Sequence, residues 1–211
     1  MMIAMSGHAT AAAEPGEEEA RIGPNAILQV ATALCTLEDE ATARRIFDAA
    51  GLPHWLDTPP QEMVPESTVA ALHQAVRREL APAQARQVLL DAGVRTGYYV
   101  LQHRIPAPIR TLLRTLPPFA AGPLLLRAIS QHAWTFVGSG KLHIGRGHPR
   151  LLELADNPVI TGEHATAPVC YWHTAAFETL FRELVNPEAR IRERECAAAG
   201  ADCCRFELRY R

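Results

Sequence analysis

The chain has no marked excess of charge and no long apolar run, and each absence excludes a class of protein. Its 211 residues carry a formal net charge of −2, which provides no field of one sign to attract phosphates, so we expect no nucleic-acid partner. A membrane-spanning helix needs roughly 18 to 20 consecutive apolar residues. The longest apolar region, residues 119–137, is interrupted by glycine, proline, arginine and histidine. We therefore expect a soluble protein.

The cysteine content does not indicate a disulfide scaffold. There are five cysteines, an odd number for a chain of this size, so they predict reduced thiols in a cytoplasmic compartment. No lysine or arginine precedes the mildly apolar residues 1–13, so we recognise no secretion signal. Apolar residues make up 48% of the chain, which is enough for a substantial core.

Hydrophobic periodicity divides the chain into three parts and predicts the α+β fold class. Residues 1–20 are small and acidic and predict a disordered tail. Residues 21–135 carry apolar side chains at helical spacing and predict a helical N-terminal portion. Residues 136–211 predict a small antiparallel sheet flanked by helices. The predicted strands are residues 141–146, 151–155, 189–196 and 204–210, with a turn at 147–149 and a long helix at 169–185.

The segment from Glu193 to Cys204 has the pattern of a metal-binding turn. Glu193 and Cys196 are followed by Gly200, which permits a tight reversal of the chain before Cys204. Thiolate is a preferred ligand of tetrahedral zinc, and Cys170 at the start of the long helix is the fourth candidate. These residues predict a structural zinc site. The spacing leaves one alternative open, namely thiols that only pack beside a hairpin turn.

A regular strand would not allow Glu193 and Cys196 to bind the same ion. Side chains three residues apart point to opposite faces of a strand, so we expect a bulge or a turn between the two residues. Cys203 adjoins Cys204 and could exchange roles with it. We expect Cys35, on the first helix, to lie in the core.

Three thiolates and one carboxylate around a divalent ion would leave a net charge of about −2. Arg192, Arg194 and Arg205 are close to the cluster in sequence and are candidates to offset this charge.

No catalytic motif is present. Residues 138–141, Gly-Ser-Gly-Lys, match only a fragment of a phosphate-binding P-loop, since Thr135 stands where the first glycine should be. Residues 145–147 do not continue to the third glycine of a dinucleotide-binding fingerprint. The histidines lack metalloprotease spacing, and no nucleophile elbow is found. The sequence therefore identifies no catalytic residue.

Aromatic residues and histidines concentrate on two predicted helices rich in leucine and alanine. They either belong to the core or form a pocket for a large flat hydrophobic ligand, with a polar group at its edge. Gly93 and Gly97, four residues apart, would let a second helix or such a ligand approach closely. The candidate ligand-binding residues are Tyr98, Tyr99, His103, Arg104, His132 and Trp134.

The C-terminal half resembles the 4-vinyl reductase domain, a small-molecule-binding module. The resemblance lies in Glu193, Cys196, Gly200, Cys204 and Phe206, which match the tail signature of that domain. Members that bind a metal add a cysteine before the long helix, where this chain has Cys170. The resemblance covers about residues 136–211 and implies a structural metal whose four positions are all filled by protein.

Two further stretches, residues 21–29 and 104–138, resemble the bacteriochlorophyll biosynthesis proteins of the 4-vinyl reductase family. This resemblance implies a magnesium tetrapyrrole ligand and a carrier or accessory role beside other enzymes of that pathway. His103 or His132 would be the axial ligand of the magnesium, and Arg104 or Arg110 would pair with a propionate. A homodimer and a location at the edge of the photosynthetic membrane are further expectations.

The family name implies a second activity, reduction of a vinyl group on divinyl chlorophyllide or protochlorophyllide. That reaction needs a hydride donor or a redox centre, and the sequence contains no motif for either. A third alternative is a ligand-sensing regulatory module, as in other members of the family.

Overall fold

The computed structural model describes residues 19–145 and 150–210. The predicted turn at residues 147–149 and most of the predicted tail lie outside these ranges. Glu19 and Ala20, the last two residues assigned to the tail, are bound to the rest of the protein. The Ser67 N–H donates to Glu19 Oε1 over 3.1 Å, and the Glu66 N–H donates to the Ala20 carbonyl over 3.0 Å.

Four helices and a short strand pair form the N-terminal core. Their apolar residues recur at helical spacing and are buried against one another, as the sequence predicts. Asp39 caps the second helix by accepting a 2.6 Å hydrogen bond from the Thr42 N–H. The elements are β1 (Arg21–Ile22), α1 (Asn25–Leu37), α2 (Glu40–Ala49), β2 (Val64–Pro65), α3 (Glu66–Glu79) and α4 (Pro82–His103).

The C-terminal part is a four-stranded antiparallel sheet with helices on one face, which confirms the predicted α+β fold class. The strands lie in the order β3-β4-β6-β5. Leu152, Leu154, Phe206 and Leu208 point into the core, whereas the residues alternating with them face outward, because successive side chains of a strand point to opposite faces. The elements are β3 (Lys141–Ile144), β4 (Arg150–Ala155), α8 (Tyr171–Leu184), β5 (Arg190–Glu195) and β6 (Cys204–Arg209).

Three helices connect these two parts of the chain and pack with the sheet. They are α5 (Ala107–Thr115), α6 (Pro118–Gln131) and α7 (Trp134–Val137). Leu113, Leu125, Leu126 and Val137 are buried in the same apolar cluster as the inner face of the sheet. The hydrophobic core of the sheet therefore includes residues that precede position 136.

Helix α8 lies between the sheet and α4, and two glycines allow the close approach. A Cβ at Gly93 would lie 2.4 Å from the Trp172 carbonyl oxygen, and one at Gly97 would lie 2.6 Å from Thr179 Cβ. The Trp172 Nε1–H donates to Thr96 Oγ1 over 3.0 Å across the same contact. Gly93 and Gly97 thus accommodate a second helix, one of the two alternatives that their spacing suggested.

Two smaller findings concern Cys35 and the membrane. Cys35 is exposed, so its predicted place in the core is wrong: it lies on the solvent side of α1, whereas Leu34 beside it is buried. Among the described residues, no helix combines the length and the apolar character needed to cross a bilayer.

Candidate metal centre

Three elements bring Cys170, Glu193, Cys196 and Cys204 to one place, and we call these residues the Cys–Glu cluster. Cys170 immediately precedes α8, Glu193 lies on β5, Cys196 follows β5, and Cys204 begins β6. One ligand atom from each residue lies within 4.8 Å of all the others. All three sulfur atoms belong to buried cysteines. The structure thus brings together the four residues that the sequence analysis selected as metal ligands.

The distances between the sulfur atoms match those around a zinc ion. Cys170 Sγ lies 3.8 Å from Cys196 Sγ and 3.5 Å from Cys204 Sγ, and the remaining pair is 3.9 Å apart. A tetrahedral ion with zinc–sulfur bonds of about 2.3 Å requires sulfur atoms about 3.8 Å apart. A disulfide would bring two of them to about 2.05 Å. The three thiols therefore form one face of a tetrahedron of the size that zinc requires.

A bulge in β5 makes the arrangement possible, as the sequence analysis predicted. Glu193 pairs with Phe206 and Glu195 pairs with Arg205, so Arg194 is an extra residue on this strand. The extra residue compensates for the odd spacing between Glu193 and Cys196, and both side chains reach the same ion position. The outward-facing Arg194 bonds Glu207 on the neighbouring strand over 2.5 Å.

The turn between Cys196 and Cys204 depends on a glycine. A short 3₁₀ turn, Ala197–Ala199, ends at Gly200, whose φ of +92° lies in the left-handed region. Side chains with a Cβ rarely adopt this conformation, whereas glycine does so without strain. The Cys196 carbonyl accepts hydrogen bonds from the Ala199 and Ala201 N–H groups, which holds the reversal in place.

Glu193 is held by one hydrogen bond and leaves one oxygen without a partner. The Cys170 N–H donates to Glu193 Oε2 over 2.8 Å. Glu193 Oε1 is buried and has no hydrogen-bond partner among the described residues. Burial and the neighbouring Cys196 raise the pKa of this carboxyl to about 8. A buried carboxylate oxygen directed at three thiols is the expected environment of a cation ligand.

The thiols are crowded enough that a single negative charge is shared among them in the absence of a cation. Hydrogen bonds to Cys196 and Cys204, followed by burial, raise the pKa of Cys170 well above its usual value. Hydrogen bonds from the two other thiols lower the pKa of Cys196 strongly. A divalent ion would remove this conflict because it stabilises all three thiolates at once.

Asn157 is a neighbour of the cluster that the sequence analysis missed. Its Nδ2 lies 3.3 Å from Cys170 Sγ and 3.8 Å from Cys204 Sγ, and its Oδ1 accepts from the Val159 N–H over 3.2 Å. The side chain is buried. The sequence Asn157-Pro158 reads as an ordinary turn, so no local signal marks it as part of a metal site.

The arginines expected to offset the cluster charge are engaged elsewhere. Arg194 pairs with Glu207, and Arg205 pairs with Glu153 and Glu195. The donors that face the cluster are instead the Asn157 amide and the Cys170 N–H at the start of α8, where the helix dipole also favours negative charge. The third candidate, Arg192, is exposed on the opposite face of β5 from Ile191 and Glu193.

Sequence comparison identifies the domain that contains the cluster. Residues 152–210 match the 4-vinyl reductase domain, and this range includes all four residues of the Cys–Glu cluster. The chain is 45% identical to the bacteriochlorophyll synthase 23 kDa chain of Cereibacter sphaeroides over 188 residues, which is 89% of this chain and 90% of that protein. It is 41% identical to the protein of the same name from Rhodobacter capsulatus over 204 residues, 97% of this chain and 92% of that protein.

The chain belongs to the family of bacteriochlorophyll synthase 23 kDa chains. Kinship of this extent confirms the resemblance noted from the sequence.

The candidate ligand-binding residues fall into three groups in the structure. Tyr98 donates to Glu183 over 3.1 Å and lines a groove of about 450 Å³ between α4 and α8. Tyr99, His103 and Arg104 lie together at the end of α4. The ring centroids of Tyr99 and His103 are 4.7 Å apart, and the Arg104 guanidinium lies 6.0 Å from the Tyr99 ring. His132 and Trp134 are exposed beside the α6–α7 junction.

Arg110, the alternative partner for a propionate, has a structural contact. Its Nη1 donates to the Leu101 carbonyl over 2.7 Å and fastens α5 to the end of α4. His103 and Arg104 are both exposed on the surface near this junction. The structure therefore leaves Arg104 more accessible to a ligand than Arg110.

The P-loop fragment is a turn closed by an acidic side chain. The Ser139 N–H and hydroxyl donate to the two carboxylate oxygens of Glu66 over 2.8 and 2.7 Å. A carboxylate occupies the position that a phosphate would need, so this segment fits the interpretation as a simple turn.

Proposed function

We propose that the protein binds a magnesium tetrapyrrole intermediate of bacteriochlorophyll biosynthesis and carries it between enzymes of that pathway. Two relatives with 41% and 45% identity over about nine-tenths or more of both chains carry this proposal. Both are named as chains of bacteriochlorophyll synthase. The matching 4-vinyl reductase domain supports the role of a small-molecule-binding module.

The ligand would bind at the end of α4. His103 is exposed and supplies a ring nitrogen for the fifth position of magnesium, while Arg104 beside it would pair with a propionate. Tyr99 stacks near His103 and offers an aromatic surface for the macrocycle. Tyr98, His132 and Trp134, the other candidates, lie on neighbouring surfaces and would contact the edge of a large ring.

The role proposed for the metal is structural. Three thiolates and one carboxylate fill a tetrahedral zinc site, which leaves no position for a substrate. An ion at this place would join the start of α8 to β5 and β6. It would thereby hold the sheet against the helix that packs on α4. The size of the sulfur triangle and the partnerless Glu193 Oε1 support this role.

An absorption titration tests the carrier function. Magnesium protoporphyrin or chlorophyllide added to the purified protein should produce a saturable shift of the Soret band at about one pigment per chain. His103→Gln or Arg104→Gln should weaken binding by about tenfold or more, because each removes one charged or coordinating contact. His54→Gln is the matched control, since His54 is equally exposed but lies outside the proposed site, and it should bind as the wild type does. Absence of a saturable shift would refute the carrier function.

Metal analysis tests the zinc site separately. The purified protein should contain close to one zinc per chain. Cys204→Ser should lose the metal, whereas Cys203→Ser should retain it, because Cys203 lies outside the Cys–Glu cluster although it is adjacent and buried. Equal zinc content in the two variants would show that the cluster is not the metal site.

The same pigment preparation distinguishes a carrier from a reductase. Incubation of the protein with divinyl chlorophyllide and NADPH should return the pigment unchanged if the protein is only a carrier. Formation of monovinyl product would assign it the vinyl reduction that the name of the domain describes.

A further inference from the structure

One continuous segment of the chain carries no acidic residue. Between Asp91 and Glu153 the sequence has no aspartate or glutamate, although the whole chain contains 23 acidic residues and a formal net charge of −2. Positive charges continue through the same segment. They are Arg95, Arg104, Arg110, Arg114, Arg127, Lys141, Arg146 and Arg150.

The exposed large apolar residues fall within the same segment. All seven that are found among residues 19–145 and 150–210 lie between positions 94 and 134. Phe119 is 79% exposed and Trp134 is 59% exposed, which are the two highest values. The remaining five are Val94, Tyr98, Ile109, Leu112 and Leu124. An apolar surface and a positively charged surface therefore coincide in one part of the fold.

Helices α5, α6 and α7 carry most of this surface. Ile109 and Leu112, three residues apart, share the exposed face of α5, while Leu113 points into the core. Phe119 projects from the first turn of α6, and Trp134 begins α7. We call these exposed residues (Ile109, Leu112, Phe119, Leu124 and Trp134) the apolar surface of α5–α7.

The apolar residues project outward and do not line a groove. None of the five lines the groove between α4 and α8 or the depression beside Arg77, two hollows formed by the described residues. A protein partner would need a matching hollow for each projecting side chain. Fluid lipid accepts such side chains without a preformed complement.

Charge determines which occupant fits. A second copy of this chain would place arginines of the same segment against one another, and like charges oppose such a contact. A bilayer with anionic headgroups attracts these arginines and accepts the phenylalanine, tryptophan and leucine side chains at its interface. We propose that the apolar surface of α5–α7 docks the protein onto an anionic lipid bilayer, with its side chains at the level of the headgroups.

Vesicle sedimentation without pigment tests this proposal, which does not depend on the tetrapyrrole function. Wild-type protein should bind vesicles of equal parts phosphatidylcholine and phosphatidylglycerol, and should bind far less to phosphatidylcholine alone. Arg127→Glu should weaken binding by about tenfold or more, since each cation near the surface contributes about fivefold. Arg192→Glu is the matched control, because Arg192 is equally exposed but lies on β5. It should bind as the wild type does.

A second variant tests the apolar contribution. Phe119→Ser should retain the far-ultraviolet circular dichroism of the wild type, because its side chain is mostly exposed, and should lose most of its binding. Trp134 fluorescence should shift to shorter wavelength on anionic vesicles only. Equal binding by Arg127→Glu and Arg192→Glu would overturn the proposal. So would a concentration-dependent dimer that Phe119→Ser abolishes, since that result would assign the surface to a second copy.

Discussion

The Nδ2 of Asn157 lies 3.3 Å from the Sγ of Cys170, which places a buried amide donor directly against the candidate metal ligands. Donors that contact metal ligands in this way orient them and stabilise their charged form. The same side chain accepts a hydrogen bond from the Val159 N–H. Asn157 thus connects the loop before α8 to the Cys–Glu cluster.

Asn157→Asp should weaken zinc binding by about ten- to a hundredfold. The substitution keeps the acceptor used by Val159 but replaces the donor that faces two sulfur atoms with a negative charge. Competition with a chelator measures the change in affinity. Gln131→Ala, at an exposed position on α6, serves as the control. Unchanged affinity in Asn157→Asp would show that the amide does not influence the metal.

Gly93→Ala should lower the free energy of unfolding by about 1–3 kcal/mol. The new Cβ would lie 2.4 Å from the Trp172 carbonyl oxygen and 2.7 Å from Ala175 Cβ, so α4 and α8 must separate. Gly122→Ala is the matched control. Its Cβ would meet only the hydroxyl end of the Tyr210 side chain, which can move. Urea denaturation of both variants should show the larger loss for Gly93→Ala.

His73 should make the protein less stable as the pH falls below about 6.5. Burial, together with the nearby Arg77, lowers its pKa from 6.5 to about 3. The unfolded chain therefore binds a proton that the folded chain does not, and each pH unit within this window costs about 1.4 kcal/mol. His73→Gln should reduce the slope of unfolding free energy against pH between 6.5 and 4. An unchanged slope would exclude His73 as the cause, and exposed His54→Gln controls for the substitution itself.

The sequence predicted the cluster and the bulge because both follow from local spacing. Glu193, Cys196, Gly200 and Cys204 lie within 12 residues, and the odd offset of the first two requires an irregular strand. The contacts of Asn157 and His73 could not be predicted in the same way. Asn157 lies 47 residues from Cys204, and His73 lies 47 residues from the Ala26 carbonyl that it contacts. Only the packing of distant elements creates such neighbours.

The exposure of the predicted ligand residues was also beyond the sequence. The spacing of Tyr98 and Tyr99 on one helix is compatible with core and surface alike. The neighbours that decide the matter, such as Glu183 beside Tyr98, come from α8. The ligand-binding role of these residues stays a prediction, and the absorption titration tests it.

Glu193→Gln should have opposite consequences with and without zinc. With zinc it removes one charged ligand, so the affinity should fall by about a hundredfold and the metal-bound protein should become less stable. With the metal chelated, the variant should be as stable as the wild type or more so, because it replaces a buried carboxylate whose Oε1 has no partner among the described residues. The glutamine oxygen can still accept the hydrogen bond from the Cys170 N–H.

Urea denaturation in zinc and in chelator, with Glu188→Gln at an exposed position as the control, measures both effects of this substitution. An equal loss of stability in the two conditions would mean that the carboxylate serves only the hydrogen bond to Cys170. A loss confined to the zinc condition would establish that Glu193 is a ligand. The buried charge is then tolerated in the fold because the ion compensates it.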